Sequence, residues 1–272
     1  MKAIVINLES ALERREFQLK QAKALGFELE IFSAVTCSDI SPQEYQSIYC
    51  TWERPMLETE VACFKSHYKV WQQIAQAKQP ILVLEDDAIL VNDTSAILQN
   101  LMAMREIDHV SLEARGRKKI LSSSSHPLFN QFVLRRLFQD RTGAAAYVLW
   151  PSGARKLLDN VAGKAGLADA IICASYNLNS YQVEPAAAIQ ADRCDFYNVN
   201  SPINPGSTIN LQSKPLRADA DSSLKTYVCK LRRINGQLRM ARRQLTTLGK
   251  SKRRMAEVKG SLFFSPSSEE KL

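Results

Sequence analysis

Ile81-Leu82-Val83-Leu84-Glu85-Asp86-Asp87-Ala88-Ile89-Leu90 decides the fold: four aliphatic residues, three carboxylates, then apolar residues again. Four aliphatics bounded by Pro80 fit a strand buried on both faces, as strands of a parallel sheet are. Three adjacent carboxylates at its end repel one another and lose hydration, a penalty that a divalent cation removes. Magnesium and manganese take oxygen ligands, commonly one or two carboxylates together with phosphates. The stretch therefore predicts a metal–diphosphate site at the carboxyl edge of an α/β sheet, where ligands of such sheets bind. The plainer alternative is a solvated acidic turn; the apolar flanks on both sides weigh against it.

Working outward, strand and helix patterns alternate. Ala3–Leu8 reads as a strand, Ala11–Leu25 as a helix closed by Gly26, and Glu28–Val35 as a second strand. Ser41-Pro42 opens a short helix with proline at a tolerated first position. Glu58–Ala77 is a longer helix whose apolar Val61, Phe64, Tyr68, Trp71 and Ile74 fall three or four apart. Weaker strand signals follow at His109–Leu112 and Phe132–Leu134, and Gly143–Trp150 is a strand of small residues. Pro151 opens a helix over Ser152–Val161; Ala168–Ser175 reads as helix and Tyr181–Ile189 as extended chain. Ser122–Ser125 and Pro202–Gly206 read as loops. Such alternation implies an α/β fold with a mainly parallel sheet flanked by helices.

Composition narrows the class. With 272 residues, 45% of them hydrophobic, the chain can bury a large core and is not a disordered polymer. No run approaches the roughly 18 apolar residues of a spanning helix, and the N-terminal apolar run is too short for a signal sequence. Six scattered cysteines without a Cys-x-x-Cys pair read as reduced packing residues, which points to the cytoplasm. His67, His109 and His126 share no ligand spacing, so a histidine metal site is not expected. The net charge of +8 is unevenly placed: residues 1–213 hold 21 Lys and Arg against 23 Asp and Glu, residues 214–260 hold 14 against 3. This predicts a body over 1–213 and a basic helical tail over 214–272.

Several chemistries are absent from the pattern. There is no Asp-x-Asp-x-Thr after the strand, no Walker glycine loop, no Gly-x-Gly-x-x-Gly after the first strand and no Gly-x-Ser-x-Gly. A metal-dependent transferase acting on a nucleotide diphosphate remains. Five ordered blocks then become specific: Ile6-Asn7-Leu8 with Arg14-Arg15; Glu60-Val61-Ala62-Cys63 leading to Ser66-His67 and Trp71; Val83–Ala88; Gly143–Tyr147; and Gly153-Ala154 with Leu157-Leu158. Together, over roughly residues 3–210, they resemble glycosyltransferase family 25, the bacterial lipooligosaccharide-type sugar transferases related to procollagen galactosyltransferases. The chain departs from that pattern at Thr59, Ala62 and Ala144, and has Leu167-Ala168-Asp169 for the family's Pro-x-Asp.

The resemblance implies a GT-A-like (Rossmann-like) domain using UDP-galactose or UDP-glucose, inversion at the anomeric carbon, and Mn2+ or Mg2+. On it, Asp87 is assigned to the metal, Glu85 to the donor ribose or to a supporting position, and Asp86 to the donor site. Asp169 matches the family's downstream acid and is the candidate base; a helix N-cap is its alternative. Asn7 and Leu8 lie where uracil or ribose would sit, though Asn7 equally suits a turn. Arg14 could reach donor phosphate or be solvated. Ser66 and His67 are donor-site candidates, His67 against a core role. Glu60 could orient His67 or be a surface carboxylate.

The tail has its own period. Leu224, Leu231, Leu238 and Leu245 recur every seven residues, with Tyr227, Ile234, Ala241 and Leu248 three beyond each. Lys225, Lys230, Arg232, Arg233, Arg239, Arg242 and Arg243 occupy the other faces, as in an interfacial helix on anionic lipid. A short coiled coil, giving a homodimer, or an apolar stripe packed on the body competes, though Gly236 and Ala241 weaken a zipper. The expected partners are thus a UDP-sugar donor, a lipid-linked oligosaccharide acceptor and the cytoplasmic face of the inner membrane. Nucleic acid is not expected, because the body is slightly acidic and the tail carries few aromatics. A non-catalytic relative that binds partners through the tail is the alternative.

Overall fold

The computed structural model describes residues 1–141, 143–204 and 222–265, without the side chains of 222–226. The chain opens with β1 (Ala3–Asn7), α1 (Leu12–Leu25) and β2 (Leu29–Ser33). Gly26 ends α1 at φ 71°, the left-handed cap expected of glycine. Next come α2 (Pro42–Ile48), whose first turn Ser41 caps by accepting the Glu44 N–H, and α3 (Glu58–Ala75). The decisive stretch forms β3 (Ile81–Glu85) and β4 (Ala88–Leu90), followed by α4 (Thr94–Met102). Then follow β5 (His109–Ser111), β6 (Lys119–Ser122), β7 (His126–Phe129), β8 (Phe132–Gln139) and β9 (Ala146–Leu149). Helices α5 (Pro151–Asn160) and α6 (Ala168–Ala174) precede β10 (Ser180–Glu184) and β11 (Ala188–Gln190). Helix α7 (Ser222–Thr246) and β12 (Ser251–Arg254) come last among the long elements.

Ten strands form one sheet in the order β12-β6-β8-β10-β5-β9-β3-β1-β2, with β7 paired to β8 off this path; β4 and β11 form a separate pair. The expectation of a mainly parallel sheet is corrected. Only β2–β1, β1–β3 and β5–β10 are parallel; β3–β9, β9–β5 and the pairs from β10 out to β12 are antiparallel. The reason is β9. Its Ala-Tyr-Val-Leu is buried on both faces like its neighbours, and burial pattern carries no information on strand direction. Even so β1, β2, β3, β5 and β10 all point the same way, so the ends of β3 and β5 open on one edge.

Strand residues alternate between two cores. Ala3, Val5, Leu82 and Leu84 pack with Phe17 of α1, Ile97 and Leu101 of α4, and Phe263 and Phe264. Ile4, Ile81 and Val83 pack on the other face with Val61, Phe64, Trp71 and Ile74 of α3 and with Leu157 of α5. The sheet is therefore a middle layer covered by helices on both sides. The extended run over Tyr181–Ile189 divides: β10 stays in the large sheet, and after the cis Glu184–Pro185 bond β11 crosses to β4.

The C-terminal segment is partly body. The boundary near residue 213 lies outside the described residues, as do Gly206 of the second expected loop and the side chains of Leu224 and Lys225. Residues 222–246 are helical as the heptad suggests, but β12 adds to the sheet edge beside β6. Arg254 donates to Glu184 at 2.5 Å, and Arg135 donates to the same carboxylate at 2.6 Å. Phe263 and Phe264 are buried, and the Phe264 N–H donates to the Leu90 carbonyl.

Helix α7 presents its polar side to the body. Arg232 donates to the Cys50 carbonyl at 2.6 Å, Arg239 to that of Ala174 at 3.0 Å, and Arg243 to that of Phe138 at 3.1 Å. Arg239 and Arg243 also lie over Tyr176, and Arg243 over Phe138. Gly236 marks the close approach, since a Cβ there would strike the Glu53 carboxylate. Tyr227, Leu231, Ile234, Leu238, Leu245 and Leu248 face solvent, Leu238 at 65% exposure.

Candidate active site at the carboxyl edge

Glu85 ends β3, and Asp86 and Asp87 make the turn into β4. Two buried glutamines of α1 hold that turn. Gln18 Nε2 donates to the carbonyls of Asp86 and Ala88 at 3.0 and 2.8 Å, and Gln21 Oε1 accepts the Leu90 N–H at 2.8 Å. Polar residues on the inner face of α1 thus satisfy backbone groups that the irregular turn leaves unpaired.

The three carboxylates separate by role. Asp86 is spoken for: Asn7 Nδ2 donates to it at 2.9 Å and Arg14 Nη1 at 3.0 Å. Asn7 also donates to the Ala11 carbonyl, so Asn7, Arg14 and Asp86 clamp the end of β1, the start of α1 and the acidic turn together. Leu8 is the first residue past β1, its carbonyl accepting the Ala11 N–H. Glu85 and Asp87 instead converge, both accepting from Gln190 Nε2, at 3.0 and 3.4 Å. The β4–β11 register brings Gln190 there by pairing it with Ala88. Burial, with Glu85 and Asp86 adding repulsion, pushes the Asp87 carboxyl up to about 7; Arg14 and Gln190 oppose this.

A second strand end joins this edge. Glu113 follows β5 and is 1% exposed; its Oε2 accepts the Ala145 N–H at 3.1 Å, while Oε1 has no hydrogen-bond partner. Burial and then the Glu85 charge push it up to about 8, against Lys119. Ala145 ties the two strand ends together, because its carbonyl accepts the Glu85 N–H at 2.8 Å. Small residues are needed here: a Cβ on Gly143, whose φ is 129°, would lie 3.2 Å from Glu113 Oε2. Asp169 stands in the first turn of α6 with Oδ1 accepting the Ala170 N–H at 2.7 Å. Burial raises it and the Glu85 charge adds to this, while the Ala170 N–H, Arg115 and His67 oppose. It is not the helix N-cap, a position held by Leu167.

The remaining expected residues serve the frame. Ser66 is buried, accepting the Val35 N–H at 2.8 Å and donating to the Ala62 carbonyl at 2.9 Å, so its hydroxyl pins the chain after β2 to α3. Glu60 accepts the Leu57 N–H and both terminal nitrogens of Arg54. Burial alone would raise it; these donors hold it below the usual range. No bond joins Glu60 to His67 among those of the described residues. His67 is fully buried: Nδ1 lies 3.0 Å from the Tyr147 hydroxyl, which accepts Trp71 Nε1–H at 2.9 Å, and Nε2 lies 3.4 Å from Glu85 Oε1. It meets the site through Glu85. Gln18, Gln21, Gln190 and Glu113 were not singled out from the sequence. Glu113 carries a weaker form of the signal that marked Glu85, a carboxylate just past the short strand His109–Ser111 and Leu112.

The converging oxygens of Glu85 and Asp87 suit a hard divalent cation. Gln190 Oε1, buried without a hydrogen-bond partner, gives a third oxygen when its amide is turned. The repulsion around Asp87 is the kind that such an ion relieves.

Residues 1–172 match glycosyltransferase family 25, described as an LPS biosynthesis protein family. The chain is 26% identical over 199 residues to lipooligosaccharide biosynthesis protein lic2B of Haemophilus influenzae, covering 68% of this chain and 74% of that protein. It is 36% identical over 93 residues to a glycosyltransferase 25 family member of Anopheles gambiae, covering 30% of this chain but 16% of that protein. Over 130 residues it is 26% identical to human procollagen galactosyltransferase 2, covering 43% of this chain and 20% of that protein. The chain thus spans only a fraction of the animal relatives. The match to the family runs through β1, the α3 block, the acidic turn and β9, the elements that build the carboxyl edge, and the chain belongs to glycosyltransferase family 25.

Proposed function

We propose that this protein is a metal-dependent inverting glycosyltransferase that moves a hexose, galactose or glucose, from a UDP-sugar to a lipooligosaccharide or lipopolysaccharide core acceptor. The observation that carries the reading is the convergence of Glu85, Asp87 and Gln190 at the common end of β3 and β5. Glu85 and Asp87, with Gln190, would hold Mn2+ or Mg2+; when bound, the ion neutralises the donor diphosphate and the charge growing on the departing UDP. Asp86, held by Asn7 and Arg14, keeps the turn in shape. Asp169 is the base that takes the acceptor hydroxyl proton: the Glu85 charge acts on it, and its raised affinity for protons suits the task. Glu113, kept protonated by burial and by the Glu85 charge, can donate from its unpartnered oxygen.

The names of the relatives support the acceptor and the sugar: one acts in lipooligosaccharide biosynthesis, another is a galactosyltransferase. The exposed apolar face of α7, flanked by Lys230, Arg233 and Arg242, suits contact with an anionic leaflet where a lipid-linked acceptor resides. Among the described residues no helix is long and apolar enough to cross a membrane. The deciding experiment is turnover of UDP-galactose and UDP-glucose with and without manganese, alone and with a lipooligosaccharide core acceptor. Manganese-dependent release of UDP is expected with one of the two donors; its absence with both contradicts the reading.

A further inference from the structure

Histidine spacing alone shows no metal site, yet the fold supplies partners of other kinds to one histidine. Cys63 and His67 are four residues apart on α3 and therefore share a helix face. That face looks at the end of β3. The Cys63 sulfur, one His67 ring nitrogen and one Glu85 oxygen all lie within 4.8 Å of one another. His67 Nε2 is buried and has no hydrogen-bond partner. Its distance of 3.4 Å to Glu85 Oε1 is about the separation of two ligands each roughly 2.1 Å from one tetrahedral ion. The other side of the ring is fixed by the Tyr147 hydroxyl, which Trp71 fixes in turn. With the ring proton on Nδ1, beside the Tyr147 hydroxyl, Nε2 keeps its lone pair free as a ligand 3.4 Å from the Glu85 carboxylate. A hydrogen-bonded far nitrogen is the usual support of a metal-bound histidine.

We infer that Cys63, His67 and Glu85 form a second cation site, built for a zinc-like divalent ion rather than for magnesium or manganese. Thiolate and imidazole are ligands that zinc and cobalt accept readily, whereas the Glu85–Asp87–Gln190 set offers oxygen alone. Three protein ligands leave a fourth position for water or another small donor. Binding transfers the Cys63 thiol proton to solvent and leaves sulfur as the thiolate ligand. Glu85 belongs to both sets through different oxygens, Oε1 toward His67 and Oε2 toward Gln190. One carboxylate charge then serves two nearby cations that repel each other, and zinc weakens manganese binding.

The test is titration of the full chain with cobalt, followed by displacement with zinc. The expected result is a thiolate-to-cobalt charge-transfer band with tetrahedral visible absorption at one equivalent. In Cys63→Ser, with an unchanged circular dichroism spectrum, that equivalent of the band is lost and the zinc Kd rises by at least about tenfold. X-ray absorption of the zinc-loaded wild-type chain provides a check independent of any variant: one sulfur at about 2.3 Å together with imidazole nitrogen. No thiolate band in the wild type, a band undiminished in Cys63→Ser, or a zinc shell without sulfur would each overturn the inference. None of these readouts needs a nucleotide or a sugar, so they stand or fall separately from the transferase reading.

Discussion

The carboxyl edge and the α7–β12 seam use charge in opposite ways. Along the seam Glu184 receives Arg135 and Arg254, while Arg232, Arg239 and Arg243 end on carbonyls of the body, and the Glu53 carboxylate beside Gly236 feels the charges of Arg233 and Arg239. At the edge, by contrast, no lysine or arginine pairs with the carboxylates of Glu85, Asp87 or Glu113 among the described residues; Arg14 goes to Asp86, and Lys119, which donates to the Glu113 carbonyl, pairs with Asp140. Buried charge that is fully paired acts as structure, and buried charge left short of a counter-charge marks a place prepared for a ligand. The seam also places its polar side inward and its leucines outward, the reverse of an ordinary surface helix.

The largest effect should come from breaking the paired region. Glu184→Ala leaves Arg135 and Arg254 facing an empty acceptor, and should cost about 3–5 kcal/mol of stability, read as a lowered thermal transition. The pH dependence follows from the same group. Burial would raise Glu184, but Arg254, the Glu257 N–H and Arg135 hold it down to about 2. A depressed carboxylate stabilises the fold above its unfolded value, near 4.5, and the contribution is lost as pH falls toward about 2. Glu184→Gln should flatten that acid limb.

At the edge the loss should fall on chemistry instead. Asp169→Asn should lower turnover roughly a hundredfold with donor affinity retained, measured as kcat against the Kd for UDP. Normal turnover would make Asp169 a structural residue, like Asp86. The smallest effect on stability should come from the outer face of α7. Replacing Leu231, Leu238 and Leu245 together with serine should shift stability by less than about 0.5 kcal/mol per site, because these side chains touch solvent. Binding to anionic vesicles should disappear. A chain cut near residue 220 is not a fair substitute, since it also removes β12, Phe263 and Phe264 from the sheet edge and the core.

Much of the edge could be read from residue order. Apolar runs locate β1 and β3, the three-and-four spacing locates α3, Gly26 stops α1, and three acids at a strand end announce Glu85 and Asp87. What could not be read depends on pairing in three dimensions. The reversed direction of β9 leaves no trace in Ala146–Leu149, since buried strands of either direction look alike. Gln190 reaches the acids only because β11 pairs with β4 in one register. Arg14 and Asn7 reach the acidic turn through Asp86, whereas the polar atoms of Ser66 and Glu60 bond elsewhere in the frame. On α7 the seven-residue period was visible and its orientation was not. Periodicity says which residues share a face, and the carbonyls and aromatic rings on the body decide which face turns inward.

The central claim is that Glu85 and Asp87 differ in kind from the paired charges because they are kept for a metal-bound diphosphate. Calorimetry of UDP binding to the wild type and to Asp87→Ala, each with and without manganese, tests it most directly. The account predicts manganese-dependent binding in the wild type and its loss in a variant that keeps the wild-type fold. Unchanged UDP affinity in Asp87→Ala with manganese present would contradict it.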